Sequence, residues 1–159
     1  MTFLKKSVPI PREQLRFMDK TEADFLRTGD TIRDDLRAVA GLKPRSFVFD
    51  IGSGYGRLAH SLIRWRGRRG RYLGMDILPK HVAWCQDHLA GRSIRFEHMD
   101  VQNDRYNSGG KKAPTEVEFA PLNADVVVLA SVFTHMWPDD IVHYLKQIRI
   151  ALADDGIAI

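Results

Sequence analysis

Cysteine is all but missing: a single one, Cys85, in 159 residues rules out an internal disulfide and fits a reducing compartment. Long apolar runs are missing as well. No uncharged stretch approaches the roughly 20 residues that cross a bilayer, and the opening MTFLKKSVPIPREQ lacks the apolar core of a signal peptide, so a cytoplasmic location without a membrane span is expected. The six histidines stand at no ligand spacing with acids or Cys85, and no metal site is expected. There is no nucleophile–base–acid set, no internal repeat and no linker that would mark a second domain. What is present, 44% hydrophobic and 28% charged residues, reads as one globular domain whose length buries roughly 68–70% of the unfolded surface.

The net charge of +4 is concentrated in RWRGRRGR, from Arg64 to Arg71. Such a run reads either as a nucleic-acid patch or as a solvated helix end whose arginines complement the negative dipole terminus. The second reading is preferred, because in an open parallel sheet this corner lies opposite the ligand crevice. A nucleic-acid partner is therefore not expected.

The chain is organised around FVFDIGSGYGRL, from Phe47 to Leu58. A short apolar run of this kind suits a strand buried on both faces. Gly52, Gly54 and Gly56 follow at alternate positions, where backbone must pass close to a bound molecule or adopt positive φ. A helix then opens, and its free N–H groups favour an anionic group such as a carboxylate or phosphate. Dinucleotide folds want G-x-G-x-x-G, whereas here the third glycine comes one residue early, with Arg57 in its place.

On either side the elements alternate. Pro9 to Ala40 has a helical pattern, with Pro11 in a first turn, Gly29 between two helices, and Asp30 as the N-cap of a helix bearing Ile32, Leu36 and Val39. This extension either covers the ligand crevice or packs on the sheet, with FLRTGD (residues 25–30) nearest the ligand. Leu58, Leu62 and Trp65 share a helix face. RYLGMD (71–76) is a second strand ending in Asp76, about 20 residues past the last loop glycine, where doubly wound folds place a carboxylate for the ribose hydroxyls. Pro79 opens a helix with Val82, Cys85 and Leu89 on its core stripe. SIRFEHM (93–99) is a third strand, followed by Asp100 and Val101, and residues 102–123 form a polar loop with at most a short helix. ADVVVLA (124–130) is the most apolar strand; SVFTHMWPDD follows it. The last helix starts at Pro138 and carries Ile141, Leu145, Ile148 and Leu152 on one face, after which Asp154, Asp155 and Gly156 turn into a strand at 157–159.

Taken together, DIGSGYGRLA, GMDI, MDV, ADVVVLASVFTHM and the helix before ALADDGIAI resemble, in order and spacing, the motifs of class I S-adenosylmethionine-dependent methyltransferases. Within them the sequence is similar to bacterial methyltransferase-domain enzymes with an SVFTHM-type segment. The resemblance implies an α/β fold: a Rossmann-like, doubly wound, mostly parallel sheet in the order 3-2-1-4-5 that lacks the family's last two strands, behind an N-terminal helical extension over residues 1–43. It implies S-adenosyl-L-methionine as cofactor, bound by Asp50, Gly52, Ser53, Gly54, Tyr55, Gly56, Asp76, Ile77, Asp100, Val101 and Ser131. In that set Asp76 takes the ribose, Asp100 the adenine amino group and the Val101 N–H a ring nitrogen.

The expected reaction moves a methyl group to a small-molecule or saccharide-type acceptor. His135 is the candidate base, with Tyr106 behind it; Tyr106, Phe133 and Trp137 are candidates for the acceptor pocket, Phe133 and Trp137 alternatively for the sulfonium. The alternatives are a truncated or non-catalytic cofactor-binding module and, less well matched, an NAD-dependent oxidoreductase. A fifth strand ending the sheet leaves an apolar edge, expected either to pair with a second copy or to mark a truncated piece.

Overall fold

The computed structural model describes residues 7–12 and 19–159. Five strands, β1 (Val48–Ile51), β2 (Tyr72–Asp76), β3 (Ile94–His98), β4 (Ala124–Val128) and β5 (Leu152–Ala158), form one sheet in the order β3-β2-β1-β4-β5. Every pairing is parallel, as right-handed helical crossovers require. The implied strand order is therefore observed.

Alternation along the central strands divides the core. Val48, Val126 and Val128 face a layer that holds Leu36 of helix α1 (Glu22–Val39), Leu58 and Leu62 of α2 (Arg57–Arg66), and Val82 and Cys85 of α3 (Pro79–His88). Phe49, Ile51 and Val127 face the other side, where α4 (Pro138–Ala151) contributes Tyr144, Ile148 and Ala151, and the loop after β3 contributes Val117 and Phe119. A sheet covered on both faces needs the near-continuous apolar strands seen here. No described helix is long and apolar enough to cross a membrane.

The N-terminal extension differs from expectation. A helix starting near Pro11 would fall on residues 13–18, which lie outside those described. From Glu22 the chain is one continuous helix, and its N-cap is Thr21, whose hydroxyl accepts the Asp24 N–H at 3.0 Å while Asp24 caps Thr21 in return. This reciprocal box starts the helix nine residues before the Asp30 cap that was expected. Gly29 does not break it: a Cβ there would lie 2.4 Å from the Arg57 carbonyl oxygen, so glycine lets α1 and α2 cross closely. Asp30, inside α1, instead pairs with Arg33 and Arg64 and accepts from Ser61. Val39 is 70% exposed; the buried stripe is Phe25, Gly29 and Leu36.

In α4 the inward face is shifted likewise. Leu145 is exposed and Tyr144 buried: the face turned to the sheet is 144, 148, 151, where the Tyr144 ring packs edge-on against Phe119. The Asp-Asp-Gly turn lies inside β5 as a bulge: Ala124 pairs with Leu152, but Val126 pairs with Ile157, the extra residues looping out between the two contacts.

The arginine run makes specific contacts. Arg66, 6% exposed, donates to the carbonyls of Ser46 and Arg71 at 2.9 and 3.1 Å; Arg68 donates to that of Leu89, and Arg71 stacks 4.0 Å over the Phe47 ring. These groups tie the loops at the N-terminal ends of the strands. They are more engaged than a solvated helix end would be.

Candidate active site: a cavity at the C-terminal ends of the strands

A cavity of about 220 Å³ opens at the opposite pole, at the tips of β1, β2 and β4. Its floor is the turn after β1. Gly52 and Ser53 both donate to the Met75 carbonyl, at 2.8 and 2.9 Å, which lashes the turn to β2. The three turn glycines have φ of +77°, +54° and +73°, a region that disfavours side chains. Only one leaves space: a Cβ at Gly52 would meet Val132 at 2.5 Å and one at Gly56 would meet Leu89 at 2.7 Å, whereas one at Gly54 meets nothing within 4 Å. At Gly52 and Gly56 the chain's own packing requires glycine. Gly54, on the cavity wall, is where backbone lies open to a bound group.

Asp76, at the tip of β2, is 7% exposed and also lines the cavity. Its Oδ2 accepts the Gly54 N–H and its Oδ1 the Leu78 N–H, both at 2.8 Å. The acid thus fixes the turn, and each oxygen keeps a lone pair for a ligand. Asp50 lies beneath the turn on the α2 side, 4% exposed, accepting from the Tyr72 hydroxyl at 2.5 Å. Burial pushes its carboxyl up to about 7; the Tyr72 hydrogen bond and Arg57 act in the opposite direction, and the charge of Asp76 adds to the rise.

Three buried polar atoms have no hydrogen-bond partner among the described residues: Ser53 Oγ, Tyr55 OH and His81 Nδ1. All three residues line this cavity. Buried polar atoms are rarely left unmet, and these three belong to residues of one cavity lining.

The opposite wall comes from the segments after β3 and β4. Tyr106 OH is 3.3 Å from His135 Nε2. Asn103 joins the two segments, donating to the His135 carbonyl at 2.9 Å and accepting the Tyr106 N–H at 3.1 Å. Ser131, at the cavity edge, holds φ of +63°, which is uncommon for a non-glycine residue. Phe25 and Asp19 reach in from the N-terminal extension, with Asp19 3.5 Å from Arg57. The extension therefore both borders the cavity and packs on α2, and Phe25 of the FLRTGD segment is its contribution.

Of the residues singled out from sequence, Gly52, Ser53, Gly54, Tyr55, Asp76, Ile77, Val101, Ser131, Tyr106 and His135 meet at this cavity. Asp50 and Gly56 support the turn from below. Three others lie outside the lining. Asp100 is folded outward, its carboxylate 3.7 Å from Lys111, because the Val101 N–H turns back to the Met99 carbonyl and Lys112 pairs with the Asp100 carbonyl. The Val101 N–H is thereby occupied as well. Phe133 packs against the core layer on the α4 side of the sheet. Trp137, the residue that caps α4, is 71% exposed. Sequence reasoning passed over Arg57, His81, Asn103 and Tyr144, all in the lining. His81, two residues past Pro79, sits in a first turn beside a strand tip, the one signal that could have marked it.

A family model described as a methyltransferase domain matches residues 49–158. Among solved structures, the PH0226 protein of Pyrococcus horikoshii superposes with a TM-score of 0.66 at 16% identity, over 93% of this chain and 64% of that one. A TehB-like SAM-dependent methyltransferase from Corynebacterium glutamicum gives 0.56 at 19% identity, over 87% and 72%. Phosphoethanolamine N-methyltransferase 1 of Haemonchus contortus, solved with phosphoethanolamine and S-adenosylhomocysteine, gives 0.57 at 17% identity, over 86% and 26%. This chain thus spans less than two thirds of the Pyrococcus protein's length, and at these identities the likeness is one of fold. With the family model running from within β1 to the end of β5, over a sheet in the class I order, the chain belongs to the methyltransferase domain family.

Proposed function

We propose that this chain binds S-adenosyl-L-methionine in the cavity and directs its methyl group to a nucleophilic atom of a small-molecule acceptor, saccharide-type hydroxyl compounds included. The observation that carries the reading is the row of unpartnered atoms, Ser53 Oγ, Tyr55 OH and His81 Nδ1, beside Asp76 and the open face of Gly54. A nucleoside carrying a zwitterionic tail offers the donors and acceptors such a wall lacks.

When bound, the cofactor supplies an already activated methyl group on its sulfonium. The chain's own contribution is then mainly orientation, worth up to roughly 7–11 kcal/mol in well-aligned cases. Asp76 accepts from the ribose through its remaining lone pairs. Ile77, Val101 and Ser131, all in the lining, would complete the hold on the cofactor. The first turn of α2, which has no side-chain cap, leaves N–H groups for the tail carboxylate. His135 takes the acceptor's proton at Nε2 as the new bond forms, and Tyr106 touches the same nitrogen. Asn103 holds both in register. Asp100, Phe133 and Trp137 receive no role here.

The experiment is a calorimetric titration of S-adenosylmethionine and of NAD into the wild-type chain and Gly54→Val. Binding of the first and not the second is expected in the wild type, with no heat from a folded variant, since a branched side chain would fill the space at Gly54. Unchanged affinity in that variant would refute the reading. A second reading is a module that holds the cofactor without transferring from it, since the buried atoms that carry the first reading speak to binding alone. Single-turnover transfer of a labelled methyl group to a panel of hydroxyl and amine acceptors separates the two.

A further inference from the structure

We infer that His81 is a direct ligand of the cofactor's ribose, sharing one hydroxyl with Asp76; the inference rests on the cofactor reading above. His81 is 6% exposed in the first turn of α3, its backbone N–H donating to the Leu78 carbonyl at 3.0 Å. The Tyr55 ring lies against the imidazole with centroids 3.7 Å apart, so the ring plane is fixed without any hydrogen bond. Nδ1 is left 3.6 Å from Asp76 Oδ1, beyond hydrogen-bond reach, and has no other partner among the described residues.

An imidazole nitrogen kept dry and unmet costs about 1–3 kcal/mol, a penalty that a ligand removes if it supplies the right group. The chemistry of the two neighbours selects that group. A carboxylate or phosphate would be repelled by Asp76, and an ammonium offers nothing for an Nδ1–H to donate to. With the imidazole proton on Nδ1 a hydroxyl suits both: its oxygen accepts from Nδ1–H while its hydrogen goes to Asp76 Oδ1, whose other lone pair is held by Leu78. One residue of α3 thereby reads the same sugar that β2 reads, and deoxygenated nucleosides are discriminated against at two points.

The test uses S-adenosylhomocysteine and its analogue lacking the 2′ and 3′ hydroxyls, titrated into wild type, His81→Phe and His81→Asn. Phenylalanine keeps the ring against Tyr55 and removes Nδ1; asparagine sets an amide nitrogen near the Nδ1 position. His81→Phe is expected to weaken S-adenosylhomocysteine by about 5- to 20-fold, His81→Asn to recover part of that loss, and neither to change affinity for the analogue. Equal affinity of wild type and His81→Phe for S-adenosylhomocysteine overturns the inference. So does an equal loss for the analogue, which would make His81 a packing residue. No binding to the wild type would instead overturn the cofactor reading itself. Should the variants fail to fold, long-range ¹H–¹⁵N spectra of the wild type decide the matter: the Nδ1 resonance of His81 must move on adding S-adenosylhomocysteine, and an unmoved resonance overturns the assignment.

Discussion

Asp50 carries an electrostatic cost at the centre of the sheet. Its carboxyl is desolvated beneath the glycine turn and pushed up to about 7, against about 3.9 in an unfolded chain. Between those two values the folded protein holds a proton that the unfolded chain has lost. The stability contributed by this group is therefore full below about pH 4, falls as pH rises towards 7, and levels off above it. Asp50→Asn keeps an acceptor for the Tyr72 hydroxyl and abolishes the titration. Urea unfolding at pH 5 and pH 8 should show the variant gaining on wild type by about 1–3 kcal/mol at the higher pH relative to the lower. A difference that does not change with pH would place the cost elsewhere. The acid was legible as part of a motif, but its burial was not, because the apolar run around it says only that a strand is enclosed. His81 was passed over for the converse reason: its place in a first turn beside a strand tip was open to view, but nothing in its neighbours predicts that its nitrogen ends 3.6 Å from Asp76.

At the scale of elements, the glycines show where sequence reading succeeds. The turn after β1 was recognised because three glycines at alternate positions following an apolar run have few other uses, and the order of strands followed from the motifs around it. Gly29 was misread because a lone glycine in a helical pattern signals a break as readily as a crossing. Local propensity holds that Gly29→Ala should stabilise α1 by about 1 kcal/mol. The crossing says the reverse: the added methyl would sit 2.4 Å from the Arg57 carbonyl oxygen, backbone that cannot rotate away. We expect destabilisation by about 1–3 kcal/mol, measured by urea unfolding, and a gain in stability would show that α1 and α2 can separate freely. The caps of α1 were equally open to inspection, since Thr21 and Asp24 have the spacing of a capping box. They lost to Asp30 because the long polar run offered several acids, and only the packed structure shows that Asp30 is taken up by Arg33 and Arg64.

At the scale of the whole molecule, β5 is the outer strand of the described sheet; Ile157 on it is 40% exposed and Ile159, just past it, 46%. Unpaired edge groups beside apolar side chains favour pairing with another chain. For the 159-residue polypeptide in isolation, light scattering over a concentration series should therefore show self-association, and Ile157→Lys should reduce it. A monomer at every concentration would mean that the edge is shielded. Cys85 Sγ lies under the turn after β1, 3.6 Å from the Gly54 carbonyl oxygen, wholly enclosed and held protonated by its burial. Only the thiolate reacts with an alkylating agent, so modification must wait for the turn and α3 to part. The protein thus carries its own clock. The rate at which iodoacetamide labels its single sulfhydryl counts how often the floor of the cavity opens, and S-adenosylmethionine should slow that count in proportion to its occupancy.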